Sequence, residues 1–172
     1  MTSQIEQFAE AAAEFCDWAE RTCAPIEKEA AVALALLSNL YQRALHLPDV
    51  SGEEEPGEVT QDAWARIYKR FGSLPFNFYS QCFNPLDSLD EPSGVADLAD
   101  DLADIWRDLK RGLSLFDAGH ISAAAWEWRQ SFWQHWGRHA AGGIYALHCW
   151  LVDQPESAAN DEAKSKSLPG SA

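Results

Sequence analysis

Basic side chains are scarce in this chain: 13 Lys and Arg stand against 27 Asp and Glu, a net charge of −14. A mean field of that sign works against phosphate backbones and anionic lipid, so nucleic acid and membrane surfaces are disfavoured as partners. Long apolar runs are missing too. The longest, Ala30 to Leu37, falls far short of the roughly 20 residues that cross a bilayer. Near the N-terminus Glu6, Glu10 and Glu14 stand where a secretory leader carries basic residues, and the expected location is the cytoplasm.

Paired cysteines are absent as well. Cys16, Cys23, Cys82 and Cys149 contain no Cys-x-x-Cys unit. On one helix, Cys16 and Cys23 would lie about 10 Å apart along the axis, too far for a disulfide. Reduced, buried thiols are expected. No glycine-rich phosphate loop, Gly-x-Ser-x-Gly elbow or Ser-x-x-Lys pair occurs, which removes the common nucleophile schemes. Strand-like alternation bounded by turn dipeptides is not seen either.

What is present is helical periodicity in a core-forming composition: 47% hydrophobic residues and 23% charged, with eight Trp and eight Phe. Ile5, Phe8, Ala12, Phe15 and Ala19 recur at three- and four-residue steps and predict a first helix from Ser3 to about Thr22. Pro25 opens a second, with Leu36, Leu37, Leu40, Tyr41, Ala44 and Leu47 on its buried stripe and Pro48 ending it. The stretch Asp49 to Glu58 is a solvated loop. Thr60 caps a third helix carrying Trp64, Ile67, Tyr68 and Phe71, stopped by Gly72. The aromatic stretch Pro75 to Phe83 predicts a short fourth helix, and a fifth runs from about Ser93 to Phe116. After the turn Asp117-Ala118-Gly119, a sixth extends from Ile121 to Val152. Gly142 and Gly143 are weak helix formers and make its least secure stretch. The expected fold is therefore all-α: a single bundle of about six helices over residues 1–152, the last two a long antiparallel hairpin. A disordered polar tail, 153–172, would follow.

The hairpin carries the polar groups that invite chemistry. Asp97, Asp101, Asp104 and Asp108 share one flank of the fifth helix, at steps of four, three and four, with Arg107, Lys110 and Arg111 behind. On a wheel of the sixth helix, Arg129, His135 and His139 fall on or beside the apolar stripe, while Glu127 and Arg138 face elsewhere. His135 and His139 stand at i and i+4, the spacing that lets two imidazoles reach one ion. Joined by one or two of Asp101, Asp104 and Asp108, they would hold a divalent metal, although no His-Glu-x-x-His or Glu-x-x-His unit occurs. The plainer expectation is a structural network in which Arg129 pairs with Asp101 or Asp108. Trp126 and Trp133, seven residues apart, are expected to pack on the first or second helix; left exposed, they would make an apolar ledge for a protein partner or for self-association.

The segments Ala99-Asp100-Asp101-Leu102, Asp108 to Leu113, Phe116 to His120, Trp126-Glu127-Trp128-Arg129 and His135-Trp136-Gly137-Arg138-His139 resemble a bacterial family known as domain of unknown function 5063. The resemblance spans roughly residues 5–152 and is most distinctive in the final hairpin. It implies an all-helical cytoplasmic domain and brings no activity with it. Three functional classes stay open at this point. One is a non-enzymatic binding or scaffold protein. The second is a metal-binding protein or metal-dependent hydrolase at His135, His139 and the aspartates. Third is a sensor that holds a small anion on Arg129.

Overall fold

Ser3 opens the first helix with a reciprocal cap: its hydroxyl accepts from the Glu6 amide, while the Glu6 carboxylate accepts from the Ser3 amide. The computed structural model describes residues 3–21, 26–86 and 93–154. Helix α1 (Gln4–Glu20) buries Phe8, Ala12, Phe15 and Ala19, the stripe read from the sequence. Helix α2 (Ile26–Ala44) lies against it, and Leu36, Leu37, Leu40 and Ala44 are buried. Thr60 caps α3 (Gln61–Phe71) by accepting from the Ala63 amide at 3.2 Å. Gly72 closes α3 in a right-handed conformation (φ −60°), not the left-handed one that glycine alone favours.

Between α3 and the next helix the expectation fails. Phe78–Gln81 is a strand, β1, and it pairs antiparallel with β2 (Gly94–Asp97), Tyr79 opposite Ala96 and Gln81 opposite Gly94. The predicted helix over Pro75 to Phe83 does not form, and the fifth predicted helix starts at Leu98 because Gly94–Asp97 is extended. Pairing across some dozen intervening residues supplied the backbone partners that the local pattern did not reveal.

Helix α4 (Leu98–Asp117) is the centre of the bundle and touches α1, α3 and the C-terminal rod. Asp97 caps it, Oδ1 accepting from the Ala99 amide at 2.9 Å. Gly119, with φ +86°, turns the chain. Helices α5 (Ile121–Ser131) and α6 (Gly137–Val152) follow, joined without a break by one π turn, Phe132–Trp136. Among the described residues, counting that run as one rod gives five helices where six were expected. The irregularity lies at Phe132–Trp136 and not at Gly142 and Gly143, which are helical. Trp128, Trp136, Phe8, Leu102 and Leu109 fill the core beside it, with Phe8 and Trp128 ring centroids 5.0 Å apart.

Among the described residues no helix is long and apolar enough to cross a membrane. Cys16 is buried as expected, whereas Cys82, just after β1, and Cys149, on the last helix, are exposed thiols. Cys23, the Pro25 start of the second helix and residues 155–172 of the predicted tail lie outside the described residues.

Candidate metal centre

The flank acids of α4 meet the C-terminal rod at the π turn. Leu98, Leu102, Ile105 and Leu109 are wholly buried, and this fixes the rotation of α4 so that Asp101, Asp104 and Asp108 line up toward the rod. His135 Nδ1 donates to Asp108 Oδ2 at 2.7 Å, and His139 Nδ1 donates to Asp101 Oδ1 at 2.5 Å. A carboxylate can only accept here, so both Nδ1 atoms carry the proton and both Nε2 atoms are left for other partners. His135 Nε2 lies 3.4 Å from Asp104 Oδ2. The two imidazoles stand edge to face, centroids 4.8 Å apart. One donor atom each from Asp104, His135 and His139 fall within 4.8 Å of one another.

Two of the carboxylates are held from behind. Asp101, only 4% exposed, accepts from the Tyr79 hydroxyl at 2.5 Å through Oδ2. Asp104 accepts from Trp64 Nε1 at 2.8 Å and pairs with Arg107 at 2.8 Å. Strand β1 thus reaches the centre through Tyr79. It can do so because Gly142 has no side chain: a Cβ there would lie 2.6 Å from the Tyr79 oxygen.

The electrostatics follow from this crowding. Hydrogen bonds to Asp104 and then Asp108, against the opposing pull of burial, push His135 up to about 9. Burial works to raise Asp104 too, but its bond from His135, the Arg107 guanidinium and the Trp64 indole together hold it below the usual carboxylate range. Asp100 is raised, by burial first and then by Asp104, Asp101 and Asp97. Burial and the bond to Asp101 keep the Tyr79 phenol protonated far above its ordinary range. Over the centre opens a cleft of ≈ 690 Å³ whose walls include Phe83, Pro85, Val95, Asp100, Arg138 and His139.

Of the sequence-predicted ligands, His135, His139 and Asp104 are brought together around one point, while Asp101 and Asp108 instead back the two Nδ1 atoms. The predicted network exists, but Arg129 is not in it: its Nε lies 3.6 Å from Asp49 in the loop after α2. The reason is the π turn. One extra residue per turn rotates α5 against α6 by about 100°, so a uniform wheel phased on α6 places Arg129 inward and Glu127 outward. In the structure Trp128 takes the inward position, and Glu127 is buried against Arg111 Nε at 2.7 Å. Trp126 and Trp133 are 38% and 59% exposed, not buried as their expected packing on the first or second helix implies. Tyr79, Trp64 and Arg138 were not read as site residues; only the i+3 step from Asp104 to Arg107 was visible in the sequence.

A family model described as "Domain of unknown function (DUF5063)" matches residues 1–153, and the chain belongs to that family. Among solved structures it is similar to the crystal structure of protein BF1032 from Bacteroides fragilis. The TM-score is 0.73 at 24% identity, with 90% of this chain and 96% of that one covered. That likeness concerns the fold. No curated protein matches the chain.

Proposed function

We propose that the chain is a divalent-metal protein, the ion held by Asp104, His135 and His139. The observation that carries this reading is the His135 Nε2 to Asp104 Oδ2 separation of 3.4 Å. Two ligands about 2.1 Å from a tetrahedral ion lie about 3.4 Å apart. The pair, bridged in the metal-free chain by the His135 Nε2 proton, is thus spaced as an ion replacing that proton would hold it. Asp108 and Asp101 supply the outer carboxylates that orient ligating imidazoles and raise their basicity. Two imidazoles and one carboxylate suit zinc, manganese or iron(II), and both imidazoles line the cleft. An ion held so supplies Lewis acidity at an accessible surface, which is the requirement for metal-assisted hydrolysis. Free Cys16, Cys82 and Cys149 support a cytoplasmic location for the protein.

Metal uptake must expel the proton that His135 carries on Nε2 at neutral pH. Dialysis against zinc at pH 7 followed by elemental analysis is expected to give one equivalent bound. Calorimetric titration in buffers of different ionisation enthalpy should report about one proton released per ion. The joint His135→Ala, His139→Ala variant is expected to bind none. A wild-type protein that takes up no stoichiometric zinc, manganese or iron(II) overturns the reading. A second reading, a partner surface at Trp126 and Trp133, is favoured by their exposure.

A further inference from the structure

An ion alone does not need a cleft of ≈ 690 Å³; that size falls within the roughly 300–1,000 Å³ of small-molecule sites. Its walls divide by chemistry. Phe83, Pro85, Val95 and Ala96, from the β1–β2 side, are apolar, whereas the α6 side presents the two histidines and Arg138. Acids also line it, but most of their capacity is spent. Asp97 Oδ1 caps α4 by accepting from Ala99 and its Oδ2 accepts from Tyr68 at 3.1 Å. Asp101 is taken by Tyr79 and His139. Asp100, on the first turn of α4, repels anions at that end and leaves the α6 end to them. Among the described residues Arg138 hydrogen-bonds only to the Gln134 carbonyl, at 3.3 Å through Nη2, and so keeps donors of its planar fork for an anionic oxygen pair.

Resting on the metal reading above, we infer that this cleft takes a small organic carboxylate: its headgroup between the ion and Arg138, its short hydrocarbon body along Phe83 and Val95. A primary amine of the same length is the opposing candidate, since the chain as a whole is strongly acidic. Yet an ammonium would face both the ion and Arg138, and the hydrogen bonds already made by Asp97 and Asp101 leave Asp100 as the lining carboxylate with most accepting capacity for it.

Calorimetry on the full chain decides between them, with hexanoate, acetate and hexylamine as probes, with and without one equivalent of zinc. Zinc-loaded protein is expected to bind hexanoate more tightly than acetate, by up to about fourfold per added methylene, and hexylamine not at all. Arg138→Gln should weaken hexanoate about tenfold while zinc stoichiometry stays at one. Phe83→Ser should abolish the chain-length gain and leave acetate unchanged. Preference for hexylamine, equal binding of hexanoate without zinc, or no dependence on chain length overturns the inference. Zinc retained with no hexanoate bound overturns the carboxylate inference alone; failure to retain zinc removes the metal reading and this one together.

Discussion

Both nitrogens of His135 face carboxylates, and that decides its charge. With its affinity for protons raised from 6.5 to about 9 by Asp104 and Asp108, the metal-free folded chain keeps His135 protonated where the unfolded chain releases it. The stabilisation is full below about pH 6.5 and is lost as pH rises through about 9. Thermal melting of metal-free protein between pH 6 and 10 is expected to show this decline, and Asp108→Asn together with Asp104→Asn should flatten it. Tyr79 acts one step further out. Its hydroxyl holds the second oxygen of Asp101, which in turn fixes His139. Tyr79→Phe should weaken zinc binding by about tenfold, the lower end for outer-shell partners, with unchanged circular dichroism. Gly142→Ala should reproduce the loss, because its new Cβ would meet the Tyr79 oxygen at 2.6 Å. Equal zinc affinity in all three proteins would remove Tyr79 from the site.

At the scale of elements, the irregular pieces position the chemistry. The π turn Phe132–Trp136 carries His135 and changes the phase between α5 and α6, and such turns recur where a helix must re-aim a functional side chain. Strand β1 delivers Tyr79 to a centre otherwise built from α4 and the C-terminal rod. The turn between α4 and α5 is simpler: Gly119 has φ +86° and no heavy atom within 4 Å of a Cβ added there. Gly119→Ala therefore costs conformational strain alone, about 1 kcal/mol, read as a lower denaturant midpoint with unchanged slope. A loss well beyond that would mean the turn is packed more tightly than its surroundings show.

For the molecule as a whole, charge and exposed aromatic surface oppose one another. The net charge of −14 repels a second copy, whereas Trp133 at 59% exposure and Trp126 at 38% offer an apolar ledge to it. Screening lengths shrink from about 10 Å at 0.1 M salt to about 3 Å at 1 M, so self-association through the ledge should strengthen with salt. Sedimentation at both salt concentrations is expected to show this, and Trp133→Ser to abolish it. A monomer at both would leave the ledge to a different protein.

The sequence by itself determined the helices and the chemical character of the site. Ser3, Thr60 and Gly119 mark their own ends through local hydrogen bonds and backbone freedom, and apolar spacing fixes which face of α4 is buried. The acidic flank and the His135, His139 pair were legible for the same reason, since three- and four-residue steps need no tertiary knowledge. Only the tertiary structure decided which groups meet. The Phe78–Gln81 strand exists because a segment distant in the chain completes its hydrogen bonds. The π turn places Phe132 and Trp136, its first and last residues, in the core. Its extra residue turned Arg129 toward Asp49 and left the imidazoles to meet the aspartates, a phase shift that no uniform helical period contains.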